Sequence, residues 1–253
     1  MLEVRGLHKN YAGIAAVQDV SFEVRSGEVV SLIGPNGAGK TTCFNLITGF
    51  APPSSGSVLF EGRDVTGCEP HVMALLGVVR TFQKTSVLKN LTVFENVLTA
   101  RHRLGNRSLW RTLLPGRAVR ESERRLREEA ARVVALVGLS ARMNTGAASL
   151  SCGELRLLEV AIAVGAGPRL LMLDEPAAGL NTEEALLLGD VLRGLVGTSV
   201  EALLLVEHNM GLVMAVSDRV VVMNFGRKLT EGRPESIRQN AEVVEAYLGK
   251  RAA

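Results

Sequence analysis

Cysteine is scarce in this chain of 253 residues, occurring only at Cys43, Cys68 and Cys152. An odd number at such separations gives neither a disulfide framework nor the paired spacing of a zinc site, so a reducing compartment is expected. Long apolar runs are also missing. The stretches Leu157 to Val164 and Val200 to Val206 carry Glu159 and Glu201, and none approaches the roughly 20 residues that cross a bilayer. Glu3 and Arg5 interrupt the start, so no secretory leader is expected. Neither sign of charge dominates: 29 Lys and Arg against 26 Asp and Glu leave a net +3, too mild for nucleic acid as the main partner. Neither an internal repeat nor a low-complexity linker is found.

What the chain has is an apolar fraction of 47%, enough at this length to bury a full α/β core. Its most informative run is Gly34-Pro35-Asn36-Gly37-Ala38-Gly39-Lys40-Thr41, between the apolar strand pattern Val29 to Ile33 and an apolar helix pattern beginning near Thr42. That is the context of a phosphate-binding P-loop, and it predicts a nucleoside triphosphate. Glycines at 34, 37 and 39 let successive backbone N–H groups converge on the phosphates, and the next helix points its positive end at the same anion. Lys40 supplies a cation for the β- and γ-phosphates, and Thr41 a hydroxyl for Mg²⁺.

Period-two patterns predict strands at Val20 to Val24 and, after the Pro52 to Gly56 turn, at Ser57 to Phe60. From about Thr92 to Gly138 the helical period dominates. Val119, Leu126, Ala130, Val133 and Val137 share one face, Glu121–Arg125, Glu123–Arg127 and Glu128–Arg132 are spaced as i,i+4 pairs, and Gly138 is the expected stop. Beyond it come a helix (about Ser151 to Val164), a strand (Leu170 to Asp174), a helix (about Thr182 to Leu195), a strand (Leu203 to Val206), a short helix (Met210 to Val216) and a strand (Arg219 to Met223). Helices alternating with buried strands imply a largely parallel sheet.

A strand ending in Asp-Glu is by itself a solvated acidic turn. Paired with Gly34 to Thr41, Leu170-Leu171-Met172-Leu173-Asp174-Glu175 becomes the second half of a phosphate site, with Asp174 holding Mg²⁺ beside Thr41 and Glu175 polarising a water. Adjacent carboxylates are expected to repel unless a cation sits between them.

Leu150-Ser151-Cys152-Gly153-Glu154 resembles the signature loop of ABC-type ATPases, usually Leu-Ser-Gly-Gly-Gln or Glu. The resemblance implies ATP and Mg²⁺ as ligands and an α/β fold: a P-loop NTPase ABC cassette with a RecA-like, mostly parallel sheet core, an antiparallel β layer and an inserted α-helical lobe. On that resemblance residues 1–253 are one ATP-binding domain, with 1–87 and 166–253 as the nucleotide-binding core and 88–165 as the lobe. It further implies that Gly34 to Thr41 with Thr42 hold the nucleotide, and that Tyr11 lies against adenine. Gln83 would sense Mg²⁺ and the attacking water, His208 would touch the γ-phosphate, and Ser151, Gly153 and Glu154 would cap the γ-phosphate held by another subunit.

The match narrows with Gly77-Val78-Val79-Arg80-Thr81-Phe82-Gln83, Leu91-Thr92-Val93-Phe94-Glu95-Asn96-Val97-Leu98, Asp174 to Asn181 and the ending Ala246-Tyr247-Leu248-Gly249. These resemble the ATP-binding subunits of branched-chain amino acid importers. That resemblance implies a peripheral subunit on the cytoplasmic membrane face, working with a second ATPase, two transmembrane permeases and an extracytoplasmic solute-binding protein. Related branches carry urea or short amides, or serve lipopolysaccharide export. DNA-repair relatives carry coiled-coil arms that do not fit the 68 residues from Gln83 to Ser151.

Cys152 stands where the first signature glycine is usual, Leu155 where Gln is, Ile162 where Arg is, and Asn181 where many relatives have Asp. A side chain at 152 is expected either to hinder closure, giving a weakly hydrolysing nucleotide-gated subunit, or to be tolerated through Ser151 and Gly153; tolerance is the preferred reading. Between Arg101 and Arg132 ten arginines stand against four glutamates, which suits either attraction to a membrane surface or, the preferred reading, a solvated helix face, and Leu109 to Leu114 with Trp110 is either a permease contact or internal packing.

Overall fold

The strand patterns are built as two sheets. The computed structural model describes residues 1–81, 87–102 and 117–248. An antiparallel layer joins β1 (Leu2–Tyr11), β2 (Ile14–Val24), β4 (Ser55–Phe60) and β5 (Arg63–Asp64) in the order β2-β1-β4-β5. The main sheet takes β3 (Val29–Ile33), β6 (Val78–Arg80), β7 (Leu170–Asp174), β8 (Ala202–Val206), β9 (Arg219–Asn224) and β10 (Arg227–Gly232) in the order β10-β9-β3-β8-β7-β6. It is parallel from β9 to β6, and β10 turns back antiparallel on β9.

Every residue of β3, β7 and β8 is buried, which is why these strands read as near-continuous apolar runs, interrupted by Ser31 in β3 and ended by Asp174 in β7, rather than as alternation. Successive side chains of β7 serve opposite faces. Leu170 and Met172 join the core shared with the antiparallel layer and Phe44 of α1 (Lys40–Ile47). Leu171 and Leu173 join the core beneath α4 (Arg117–Leu136), α5 (Cys152–Gly165), α6 (Thr182–Leu195) and α7 (Met210–Val216). That second core also takes Val93 and Val97 of α3 (Val93–His102), so the helical layer is continuous with the sheet's packing.

The expected face of α4 is confirmed: Ala130, Val133 and Val137 are buried, and Val119 and Leu126 half-buried. The helix stops where expected, with Gly138 at φ 78° and Leu139 N–H returning to Val134 O at 3.0 Å. Its charge pairing differs in part. Glu121 pairs with Arg125 at 2.6 Å, but Glu128 faces Arg124, and Arg132 faces Glu129, which also meets Arg101 on α3. An interhelical partner for Glu129 shifts the pairing by one position. Trp110 and the arginines at 103, 107 and 111 lie outside the described residues, as does Gly249.

Four further elements carry no strong periodic signal: α2 (Pro70–Leu76), β10, α8 (Pro234–Gln239) and α9 (Ala241–Leu248). The edge strand β10 is secured by ions. Arg219 donates to both oxygens of Glu28 (2.8 and 3.0 Å), to Glu231 of β10 and to Glu23 O of β2, and Glu28 also accepts from Arg25 N–H. Burial alone would raise the Glu28 pKa; the Arg219 hydrogen bonds and charge, with the Arg25 N–H, overcome it and hold the carboxyl below its ordinary range. A depressed native pKa gives stability that is complete above the ordinary value near 4.5 and is lost as pH falls through the native value. Glu28→Gln is therefore expected to lower urea stability at pH 7 by about 2 kcal/mol, with the gap to the parent chain closing below pH ~4. A gap that is constant from pH 7 to pH 3 would contradict this account.

Candidate functional site

Three strands end level with one another. Leu32 of β3 pairs with Val206 of β8, and Val206 pairs with Asp174 of β7, so the chain leaves the sheet at one edge three times. The segments that emerge there are Gly34 to Thr41, Glu207-His208 and Glu175.

The loop after β3 is shaped by contacts that only glycine permits at two places. Gly34 has φ 153°, and a Cβ there would lie 2.2 Å from Met223 O; Gly39 has φ 97°, and a Cβ would lie 2.5 Å from Ala16 O. Gly39 caps α1 without a side chain, so the first N–H groups of that helix are open to an anion. Lys40 is buried, with its ammonium donating to Gly34 O (2.6 Å) and Pro35 O (3.1 Å). Burial lowers its pKa, and the Glu175 and Asp174 carboxylates act the other way. A cavity of about 540 Å³ opens over Asn36, Gly37, Ala38, Gly39, Lys40, Thr41 and Thr42, walled by Ile14 to Ala16, Gln18, Glu175, Phe225 and Gly226.

Asp174 is buried, and its Oδ2 accepts from Arg80 Nη2 at 2.6 Å. Its Oδ1 is also buried yet has no hydrogen-bond partner among the described residues. An unsatisfied carboxylate oxygen costs free energy that a hard cation would recover, so Asp174 with the exposed Thr41 hydroxyl fits Mg²⁺. Each of the two adjacent carboxylates also faces a basic side chain, Asp174 that of Arg80 and Glu175 that of His208. Glu175 lies 3.4 Å from His208 Nε2, and its backbone, at φ 51°, donates to Val206 O at 2.8 Å. That left-handed conformation is strained for a non-glycine residue, and the side chain lines the cavity.

The signature segment stands apart, because none of its residues lines that cavity. Ser151 caps α5: its hydroxyl accepts from Glu154 N–H (3.2 Å), and Glu154 accepts from Ser151 N–H (2.8 Å) and Arg142 (2.8 Å). The Ser151 N–H, then Arg142, hold the Glu154 carboxyl below its usual range. Glu154 thus braces the cap that presents Ser151. A Cβ on Gly153 would come 3.0 Å from Glu184 Oε1, so this glycine permits close packing on α6. Cys152 is exposed, with Sγ 3.8 Å from Gly179 O, and Asn181 caps α6 through a reciprocal bond with Glu184.

Tyr11 ends β1 about half exposed, with the Lys9 ammonium 5.0 Å from its ring; it is not among the cavity's lining residues, whereas Ile14 and Phe225 are. Gln83 lies outside the described residues. Two residues escaped the sequence reading: Arg80, whose only signal was its place in a matched motif, and Glu207, a buried acid just beyond the apolar strand β8.

Comparison with known proteins accounts for these features together. Residues 17–178 match the family model described as ABC transporter. The chain belongs to the ABC transporter ATP-binding family. A second model, branched-chain amino acid ATP-binding cassette transporter, matches this ABC cassette at residues 227–253. The cassette is 44% identical over 99% of its length to 98% of the high-affinity branched-chain amino acid transport ATP-binding protein BraF of Pseudomonas aeruginosa. It is 33% identical over 98% of its length to 97% of the lipopolysaccharide export system ATP-binding protein LptB of Acidithiobacillus ferridurans. Among solved structures it resembles the ADP conformation of an ATP-binding cassette of an ABC transporter, with a TM-score of 0.85 and 31% identity, each chain covered to 99%. Nucleotide binding is therefore a property of this cassette, and Lys40→Ala should weaken Mg·ATP at least about tenfold in a fluorescent-nucleotide titration, since it removes a charge-assisted contact. Affinity within twofold of the parent would remove Lys40 from the site.

Proposed function

We propose that this ABC cassette is the ATP-hydrolysing subunit of an importer for branched-chain amino acids, passing the closing and opening of two cassettes to transmembrane permeases. The observation that carries the catalytic part is the convergence of Lys40, Glu175 and His208 on one sheet edge, with Glu175 and His208 3.4 Å apart. The solute rests on the relatives: similarity is greater to the branched-chain amino acid transport protein at 44% than to the lipopolysaccharide export protein at 33%, and the matched C-terminal segment bears the former name.

In this mechanism the 34–41 loop and the open turn of α1 bind the phosphates, and Lys40 exchanges its own carbonyl partners for β- and γ-phosphate oxygens. Thr41 and Asp174 would hold Mg²⁺, which would neutralise charge on the phosphates; Gln83 is assigned to the same ion and to the water. Glu175 takes a proton from the attacking water as general base, and His208 holds that carboxylate and reaches the γ-phosphate. Tyr11 is assigned to adenine at the rim. Ser151 and Gly153, braced by Glu154, serve the nucleotide of a second cassette, because they stand outside the cavity of their own chain. The proposal takes residues 1–87 and 166–253 as the core and 88–165 as the lobe that carries this face. The partners are a second ATPase subunit, two permeases and, through them, an extracytoplasmic solute-binding protein, with the cassette peripheral on the cytoplasmic face.

Glu175→Gln keeps the side chain's shape and removes the base. Steady-state hydrolysis is expected to fall by about a hundredfold or more while ATP still drives two cassettes together on size exclusion. Unchanged turnover would overturn the assignment of the base.

A further inference from the structure

Glu207 has no part in the mechanism above, yet it is one of the few buried charged side chains of the described residues, 1% exposed. Among those residues no basic side chain pairs with it. A carboxylate removed from water costs several kcal/mol unless its oxygens are satisfied, and here backbone N–H groups do this. Oε1 accepts from Ala177 N–H at 2.8 Å; Oε2 accepts from His208 N–H at 2.9 Å and Asn209 N–H at 3.0 Å.

The donors belong to the two loops that carry the reacting groups. Ala177 lies two residues beyond Glu175, in a turn closed by Ala178 N–H on Glu175 O (3.1 Å) and Leu180 N–H on Ala177 O (3.1 Å). Glu175 is thus gripped on both sides, by Val206 O on its own N–H and by Glu207 on the turn just past it. The other carboxylate oxygen holds the backbone of His208, whose ring meets Glu175. The same turn reaches the signature helix, where Arg156 donates to Ala178 O (3.1 and 3.2 Å) and Cys152 Sγ faces Gly179 O.

The geometry points to Glu207 as a positioning residue: its buried carboxylate ties the Glu175 turn and the His208 loop into one unit, setting the distance between base and histidine and joining that pair to the subunit's own signature face. This role rests on the assignment of Glu175 as the base. Glu207→Gln keeps the volume but offers one acceptor and one donor where three N–H groups need acceptors, so one loop must shift. A displacement near 1 Å at the reacting groups is worth up to a hundredfold in rate.

The test compares parent, Glu207→Gln, Glu207→Asp and Glu175→Gln chains in the assembled ATPase, measuring kcat, KM, fluorescent-nucleotide Kd and thermal midpoint. Glu207→Gln is expected to lose between about ten- and a hundredfold in kcat with Kd within about twofold and ATP-driven association retained. Glu207→Asp, which keeps the charge on a shorter stem, should show the same split, and it supplies the reading if the glutamine variant fails to accumulate folded. Unchanged kcat in both Glu207 variants, with Glu175→Gln inactive, overturns the positioning role. Parallel losses of kcat, nucleotide binding and thermal midpoint reduce Glu207 to a fold residue and overturn it equally. Full turnover in Glu175→Gln refutes the base instead, whatever the Glu207 variants do.

Discussion

The site depends on the register of three buried parallel strands. Because β3, β8 and β7 are aligned at Leu32, Val206 and Asp174, three stretches far apart in sequence emerge at one height and in one direction. The phosphate loop, the histidine loop and the two carboxylates are then neighbours without long connections. A slip of one residue in β7 would invert its faces, sending Leu171 and Leu173 toward the antiparallel layer and moving Asp174 and Glu175 along the edge. The two apolar cores that flank the sheet therefore enforce the geometry of the chemistry, since each holds every second residue of the same strand.

Charge is distributed along this edge so that no carboxylate is left against another. Asp174 takes Arg80 and keeps one oxygen available, Glu175 takes His208, and Glu207 takes three backbone N–H groups. Arg80 is itself held by Asn45 Oδ1 at 2.5 Å and lies over the Phe44 and Phe50 rings, so it is tied to the helix that begins at Lys40. Lys40 is served by carbonyls of its own loop. Ionisable groups of opposing sign can share this edge because each has a separate, oriented partner.

Much of this was legible in the sequence, for physical reasons. Strands covered on both faces are nearly all apolar, so β3, β7 and β8 announced themselves, and the glycines at 34 and 39 mark places where an added Cβ would lie 2.2 and 2.5 Å from a backbone carbonyl oxygen. The amphipathic period of α4 and its stop at Gly138 were equally plain. The features that stayed hidden depend on partners remote in sequence. Half-exposed β10 is secured by Arg219 bridging to Glu28 and Glu231, a bond between positions 191 residues apart that no local pattern displays. Glu154 reads as a ligand in the signature; its Ser-x-x-Glu spacing to Ser151 is a local capping pattern, but its bond to Arg142 emerges only once α5 and its neighbouring turn are built. Tyr11 stands at the end of β1, but which apolar groups wall the cavity is decided by the β9–β10 turn that brings in Phe225.

The central claim is that one cassette carries half of a nucleotide site at this sheet edge and offers the matching half, on α5, to another. A structure of the hydrolysis-blocked assembly with Mg·ATP tests it most directly, through the contacts of the γ-phosphate. The account predicts Lys40 and His208 from one subunit and Ser151 from the other within hydrogen-bond distance of it. A γ-phosphate bound wholly within one chain, with Ser151 of every subunit turned to solvent, would contradict it.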